Sequence, residues 1–216
     1  MKIDIANHIG AVTRAVLERD QDGRPLRLVE ATRLYEAQIA DVWDAITNAE
    51  RIPRWFMPVS GDLRLGGRFQ LQGNAGGEIT GCEPPRHLAV TWEFAGGVSW
   101  VSVQLAEDAP GRTLLTLEHV LQIDEHWERY GPGATGVGWD MALVGLAEHL
   151  ATGASVDPAE AMAWLGSDEG KRFVGEASAD WCRADIAAGT DAASARASAA
   201  RTTAAYTGQP EPPKEG

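Results

Sequence analysis

His119 stands in the most unusual setting of any polar residue in this sequence. In the segment Arg112–Leu121, residues Leu115, Leu117, His119 and Leu121 alternate with Thr116, Glu118 and Val120. Side chains alternate across a strand, so this spacing predicts His119 on an apolar face. An imidazole there can serve as acid or base, or can orient a bound ligand through a hydrogen bond. The alternative is a core histidine whose ring nitrogens are satisfied by neighbours. Asp124-Glu125-His126-Trp127 follows at once. Glu125 and His126 are candidates to polarise a substrate at a cavity mouth. The alternative is a solvated loop in which Trp127 packs or gates.

Aromatic residues are the other resource. Eight tryptophans occur, and six of them lie between Trp43 and Trp139. Trp55, Phe56, Trp92, Trp127 and Trp139, with Leu143, can form an apolar wall around a ligand. They can equally fill a solid core, where each buried ring contributes a few kcal/mol. Other chemistries find little support. Cys82 and Cys182 are about a hundred residues apart and form neither a disulfide framework nor a zinc knuckle. No Gly-x-Ser-x-Gly elbow occurs. His8, His87, His119, His126 and His149 lack metal-ligand spacing, so no metal and no cofactor is expected. Gly73-Asn74-Ala75-Gly76-Gly77 has no Lys-Ser/Thr after it and reads as a hairpin turn rather than a phosphate loop.

The elements that must position these residues follow from period and punctuation. Asp20-Gln21-Asp22-Gly23 is a turn signal between two strands, Ala11–Glu18 and Leu26–Glu36. Val42, Ala45, Ile46 and Ala49 recur at helical spacing, and Pro53 opens a short second helix. From Gly61 to Leu121 short alternating runs are separated by glycine and proline pairs, predicting an antiparallel meander with strands at 62–65, 68–72, 78–82, 87–94, 98–105 and 112–121. Leu88, Val90, Trp92 and Phe94 share one face, as do Val101, Val103 and Leu105. A sheet with one greasy face needs a cover. Ala134–Thr152 supplies it, with Trp139, Leu143, Leu146 and Leu150 in an amphipathic stripe. Helices are expected at 159–165, from Ser167 through Trp181, and at 192–206. The reading is therefore α+β. It places the main domain at 1–154 with an N-terminal hairpin, a helical extension at 155–206 and a disordered tail at 207–216.

Composition bounds the partners. The chain has 216 residues and a formal net charge of -12. Such a chain repels nucleic acid and anionic membrane surfaces, so neither is expected as a partner. No stretch reaches the roughly 20 apolar residues of a membrane span, and reduced thiols fit a cytoplasmic location.

Several short motifs together carry a family resemblance. They are Val42-Trp43-Asp44-Ala45-Ile46-Thr47-Asn48, Arg51-Ile52-Pro53-Arg54-Trp55-Phe56, Gly66-Gly67-Arg68-Phe69, Pro84-Pro85-Arg86-His87-Leu88, Val90-Thr91-Trp92, Leu117-Glu118-His119 and Gly136-Val137-Gly138-Trp139. From about Glu30 to Ala151 the chain resembles the SRPBCC or START-like superfamily, in the branch of the activator of the heat-shock-protein-ninety ATPase (the Aha-type domain). The resemblance implies a helix-grip fold, a curved antiparallel sheet wrapped around a long C-terminal helix. It also raises the prospect of a cavity between sheet and helix. The first functional expectation is a small-molecule binding protein for an apolar or aromatic ligand. It would use Trp55, Phe56, Trp92, Trp127, Trp139 and Leu143 for contact and His119 for orientation. A cyclase or hydrolase acting in the same cavity is the second. A protein-interaction or co-chaperone-like module is the third, and a homodimer through the helical extension would suit it.

Overall fold

Every strand lies before Ile123, and from Glu125 onward the regular elements are helices. A computed structural model describes residues 4–21 and 23–212. In chain order the elements are α1 (Ile5–Gly10), β1 (Val12–Gln21), β2 (Arg24–Tyr35), α2 (Ile39–Thr47), α3 (Ile52–Trp55), β3 (Val59–Gly61), β4 (Arg68–Leu71), β5 (Gly76–Glu83), β6 (His87–Phe94), β7 (Gly97–Ala109) and β8 (Arg112–Gln122). There follow α4 (Glu125–Tyr130), α5 (Gly133–Thr152), α6 (Pro158–Gly166), α7 (Asp168–Ala187) and α8 (Ala192–Thr207). The strands form one curved antiparallel sheet in the order β1-β2-β8-β7-β6-β5-β4-β3. This is the α+β helix-grip architecture.

Register fixes the faces. Leu88 pairs with Val103, Val90 with Val101 and Trp92 with Ser99. On the next strand Val101 pairs with His119, Val103 with Leu117 and Leu105 with Leu115. Directly opposed residues point the same way. These side chains therefore form one inner face, while Thr91, Glu93, Ser102, Gln104, Thr116 and Glu118 form the outer one.

The chain divides into two compact units. The first gathers residues 1–31, 122–141 and 157–216. The N-terminal hairpin and the C-terminal helices thus fall in the same unit. Within this unit α7 buries Phe173, Val174, Ala177 and Trp181. Arg14 reaches Asp140 through Nε at 3.1 Å and Asp180 through Nη1 at 2.9 Å. Asp140 also accepts from Trp181 Nε1 at 3.0 Å. The indole needs Gly136, because a Cβ there would lie 2.2 Å from its ring. Asp124-Glu125-His126-Trp127, expected as a loop, is instead the start of α4. Asp124 caps it by accepting from Trp127 N at 2.8 Å. Beyond α8, Glu211 accepts from Tyr130 Oη at 2.8 Å and Arg129 Nη2 at 2.6 Å. Pro213 and the residues after it lie outside the described residues, as does Asp22 of the first turn.

The second unit comprises 32–121 and 142–156. Its part of α5 buries Leu143 and Leu146, and Tyr35 Oη donates to the Leu143 carbonyl at 3.1 Å. Gly145 lets α5 touch the α3 backbone, since a Cβ would fall 2.4 Å from Trp55 O. His149, 3% exposed, sits near the end of α5. Its Nδ1 lies 2.9 Å from Ala154 O, so Nδ1 donates and Nε2 accepts from Arg51 Nε at 3.3 Å. Arg51 also binds Asp41 Oδ1 at 2.6 Å and Asp44 Oδ2 at 3.0 Å. Arg51→Ala would strip the buried imidazole of its donor, a loss of about 1–3 kcal/mol. A urea titration should show a lower midpoint with an unchanged m-value. A midpoint that stays put would refute a joining role for this cluster.

Candidate functional site

The candidate site is the inner face of the second unit around His119. Strand β8 places His119 opposite Val101, and two residues back along β7, Ser99 shares its row with Trp92. His119 is 3% exposed. Its Nε2 lies 2.8 Å from Ser99 Oγ, and Ser99 Oγ donates to the Trp92 carbonyl at 3.2 Å. With the hydroxyl proton on that carbonyl, Nε2–H donates to Ser99 Oγ, a tautomer assigned from the network. The Trp92 ring meets the imidazole edge-on at 6.0 Å between centroids, and Phe69 lies 6.2 Å from Trp92. Burial pushes the His119 pKa down to about 3. The ring is neutral at pH 7 and works as a hydrogen-bonding group, not as a proton store.

Cover over this face is uneven. Val90, Val101, Leu105, Leu115 and Leu117 are buried. Leu88, Trp92, Ser99, Val103 and Leu121 are only half-buried, and Phe94 at the end of the row is 54% exposed. Trp55 and Phe56 stack at 5.4 Å with 23° between planes, both half-buried. The Trp55 indole donates to Ala45 O at 2.9 Å, which fixes α3 against α2. Leu143 is 3% exposed.

Five of the seven residues expected to bind ligand, Trp55, Phe56, Trp92, His119 and Leu143, therefore fall in one compact unit. Trp127 and Trp139 belong to the other and are half-buried there. Glu125 and His126 also belong to it, exposed on α4, with the His126 ring 4.9 Å from that of Tyr130. Ser99, Phe69, Tyr35 and Arg33 escaped the sequence reading. On the opposite face of the sheet, Glu83, Arg86, His87, Gln104, Leu114 and Thr116 line an open groove of about 470 Å³. Among the described residues no three His, Cys, Asp or Glu side chains gather to hold a metal ion, and no helix is long and apolar enough to cross a membrane.

Comparison with known proteins agrees with this geometry. Residues 36–151 match the family described as activator of Hsp90 ATPase homolog 1-like protein. The crystal structure of CalU16 from Micromonospora echinospora is 35% identical, covers 81% of this chain and 98% of its own, and superposes with a TM-score of 0.66. Its solution structure gives a TM-score of 0.71 over 82% of this chain and 97% of its own at the same 35% identity. DynU16, described as a putative protein in the dynemicin biosynthetic locus, is 25% identical with a TM-score of 0.52, over 59% of this chain and 48% of its own. A comparison with curated proteins produced no match. The matched span includes both α2 and the His119 strand, and the likeness to CalU16 runs well beyond it; the chain belongs to the activator of Hsp90 ATPase homolog 1-like family.

Proposed function

We propose that this protein binds a small apolar or aromatic molecule on the inner face of its sheet, beside the C-terminal helix α5. One observation carries the reading. The apolar face that a helix-grip fold would bury stays only half-covered at Leu88, Trp92, Val103 and Leu121, around a polar pair, the buried His119 and the half-buried Ser99. A solid core leaves few such gaps, because protein interiors pack as densely as organic crystals. Binding sites combine an apolar wall with a few placed polar groups. Trp92 supplies flat contact area, and Ser99 supplies a hydroxyl held by His119. The location of DynU16 in a biosynthetic locus supports a small-molecule role over a co-chaperone one. Trp55, Phe56 and Leu143 complete the candidate set within this unit.

The test is a thermal-shift and native mass spectrometry screen of the purified protein against apolar and aromatic compounds. A ligand at a hundred times its dissociation constant should add about 2.7 kcal/mol of stability. Trp92→Ala should weaken that ligand at least tenfold while the protein stays folded. Binding that survives Trp92→Ala unchanged would move the site off this face.

A further inference from the structure

Ser99 offers the inner face a hydrogen-bonding atom of one kind only. A hydroxyl has one proton to give and two lone pairs to receive with. Ser99 Oγ donates to the Trp92 carbonyl at 3.2 Å and lies 2.8 Å from His119 Nε2. Strand pairing fixes both neighbours. Trp92 lies opposite Ser99 on β6, and His119 on β8 lies opposite Val101, two residues along β7. Two of the three directions around the oxygen are thus taken. With Nε2 protonated, the imidazole donates to Oγ and the hydroxyl proton goes to the Trp92 carbonyl. With Nε2 bare, the hydroxyl proton goes to the imidazole instead. A charged ring repeats the first arrangement. In every case the serine proton stays inside the network, and what Oγ has left is an acceptor lone pair.

Ser99 is the open member of the pair. His119 is 3% exposed, whereas Ser99 and Trp92 are half-buried. Val90 and Val101, in the row of His119, are apolar and buried. A hydrogen bond formed in such surroundings is stronger than one in water. A ligand that brings a donor completes the third direction of Oγ. One that brings only an acceptor sets lone pair against lone pair. One that brings a methyl group cuts the oxygen off from water without replacing that partner, which leaves a polar group unsatisfied. The Trp92 ring, its centre 6.0 Å from that of the imidazole, adds flat contact area. An O–H carried directly on an aromatic ring meets both demands.

We propose that Ser99 selects the ligand by its hydrogen-bond donor, so that the inner face takes a phenol-type aromatic hydroxyl compound in preference to its methyl ether. This rests on the binding role proposed above and narrows it to a chemical class. The rival role for Ser99 is to hold His119 in place without touching a ligand.

A matched pair of probes separates the two. 2-Naphthol and 2-methoxynaphthalene share the ring and differ in the donor, and both are uncharged at pH 7.5, where calorimetric titration of the full-length protein would measure each. The naphthol is expected to bind at least tenfold more tightly than the ether. Ser99→Ala should bring that ratio to within twofold of one while leaving ether affinity within threefold. Should Ser99→Ala fail to fold, Ser99→Cys takes its place, since a thiol sulfur is a weak acceptor, and the ratio should fall below threefold. Equal binding, a preference for the ether, or a ratio that survives the substitution overturns the donor assignment and leaves the binding role standing. Where neither naphthalene binds, the ligand screen decides. Hits confined to ring hydroxyl and N–H compounds support the assignment, and hits among donor-free compounds overturn it. An empty screen overturns the binding role and this inference with it.

Discussion

Trp181→Ala should lower folding stability by about 4 kcal/mol, the largest single-residue loss expected in the first compact unit. Trp181 is fully buried on α7. Truncating a buried tryptophan removes its transfer energy and leaves a cavity, together about 3–5 kcal/mol. The surroundings are poorly placed to collapse, because Gly136 already presses its backbone against the indole. A second loss adds to the first. Asp140 is completely buried and takes Trp181 Nε1 as a donor beside Arg14. Losing one donor weakens the satisfaction of a buried carboxylate. Trp181→Phe separates the contributions, since it keeps most of the apolar bulk and removes only the N–H. It should cost about 1–2 kcal/mol. Whole domains are stable by only about 5–15 kcal/mol, so the alanine variant should unfold at much lower urea. Chemical denaturation followed by tryptophan-independent circular dichroism measures both. A loss below about 1 kcal/mol for Trp181→Ala would mean that α7 is not fastened through this cluster.

Much of the architecture was legible because its elements are periodic. Strands β6, β7 and β8 each alternate over eight residues or more, and their positions match the expected runs closely. Where period fails, so did the reading. The segment expected as a strand at 62–65 is a turn, and the pairing strand is Val59–Gly61. Leu63 and Leu65 suggested alternation, but Leu65 is 62% exposed. Gly61 holds the β3–β4 contact instead, with φ of 114° and no room for a Cβ against Arg68 O. The six-residue helix α4 is too short to show a period, and only its Asp124 cap marks it. Helix α5 was read as a single stripe. It buries Val137, Val144 and Asp140 as well as Leu143 and Leu146, so its buried positions are not confined to one stripe. A single amphipathic stripe does not describe that distribution.

The candidate site was half legible for a related reason. His119 could be placed on the apolar face from parity alone. Its partner could not, because Ser99 meets it only through the register between β7 and β8, which no local pattern encodes. Arg33 is buried against the general tendency of charged side chains to face solvent. Residues of its kind are almost never fully buried. The alternation Val29, Ala31, Arg33, Tyr35 did contain the signal. The adjacency of Glu125 and His126 to the His119 strand in sequence made them look like partners. Helix α4 belongs to the other compact unit.

His119→Gln should flatten the acid side of the stability profile. The folded pKa of His119 is pushed down to about 3 by burial, against about 6.5 for an unfolded histidine. Between those values the unfolded chain takes up a proton that the folded chain refuses. Stability therefore falls as pH drops through this window, and the contribution of a neutral His119 is fully present only above about pH 6.5. A shift of that size bounds the effect at roughly 5 kcal/mol, since each unit is worth about 1.4 kcal/mol. Glutamine has no such proton to take. Its amide can still donate toward Ser99 Oγ, so at pH 7.5 the variant should lose only about 1 kcal/mol. As pH falls toward 4.5, the gap between the two proteins should close and then reverse, because only the parent suffers the histidine penalty. Carboxylates titrate in both proteins and cancel in the difference. Urea unfolding of parent and variant at matched pH values reads that difference directly. A gap that stays constant from pH 7.5 to 4.5 would mean that His119 can charge without unfolding. The imidazole would then reach solvent through the half-covered face and regain a part in acid–base chemistry, which the neutral, sequestered ring does not have.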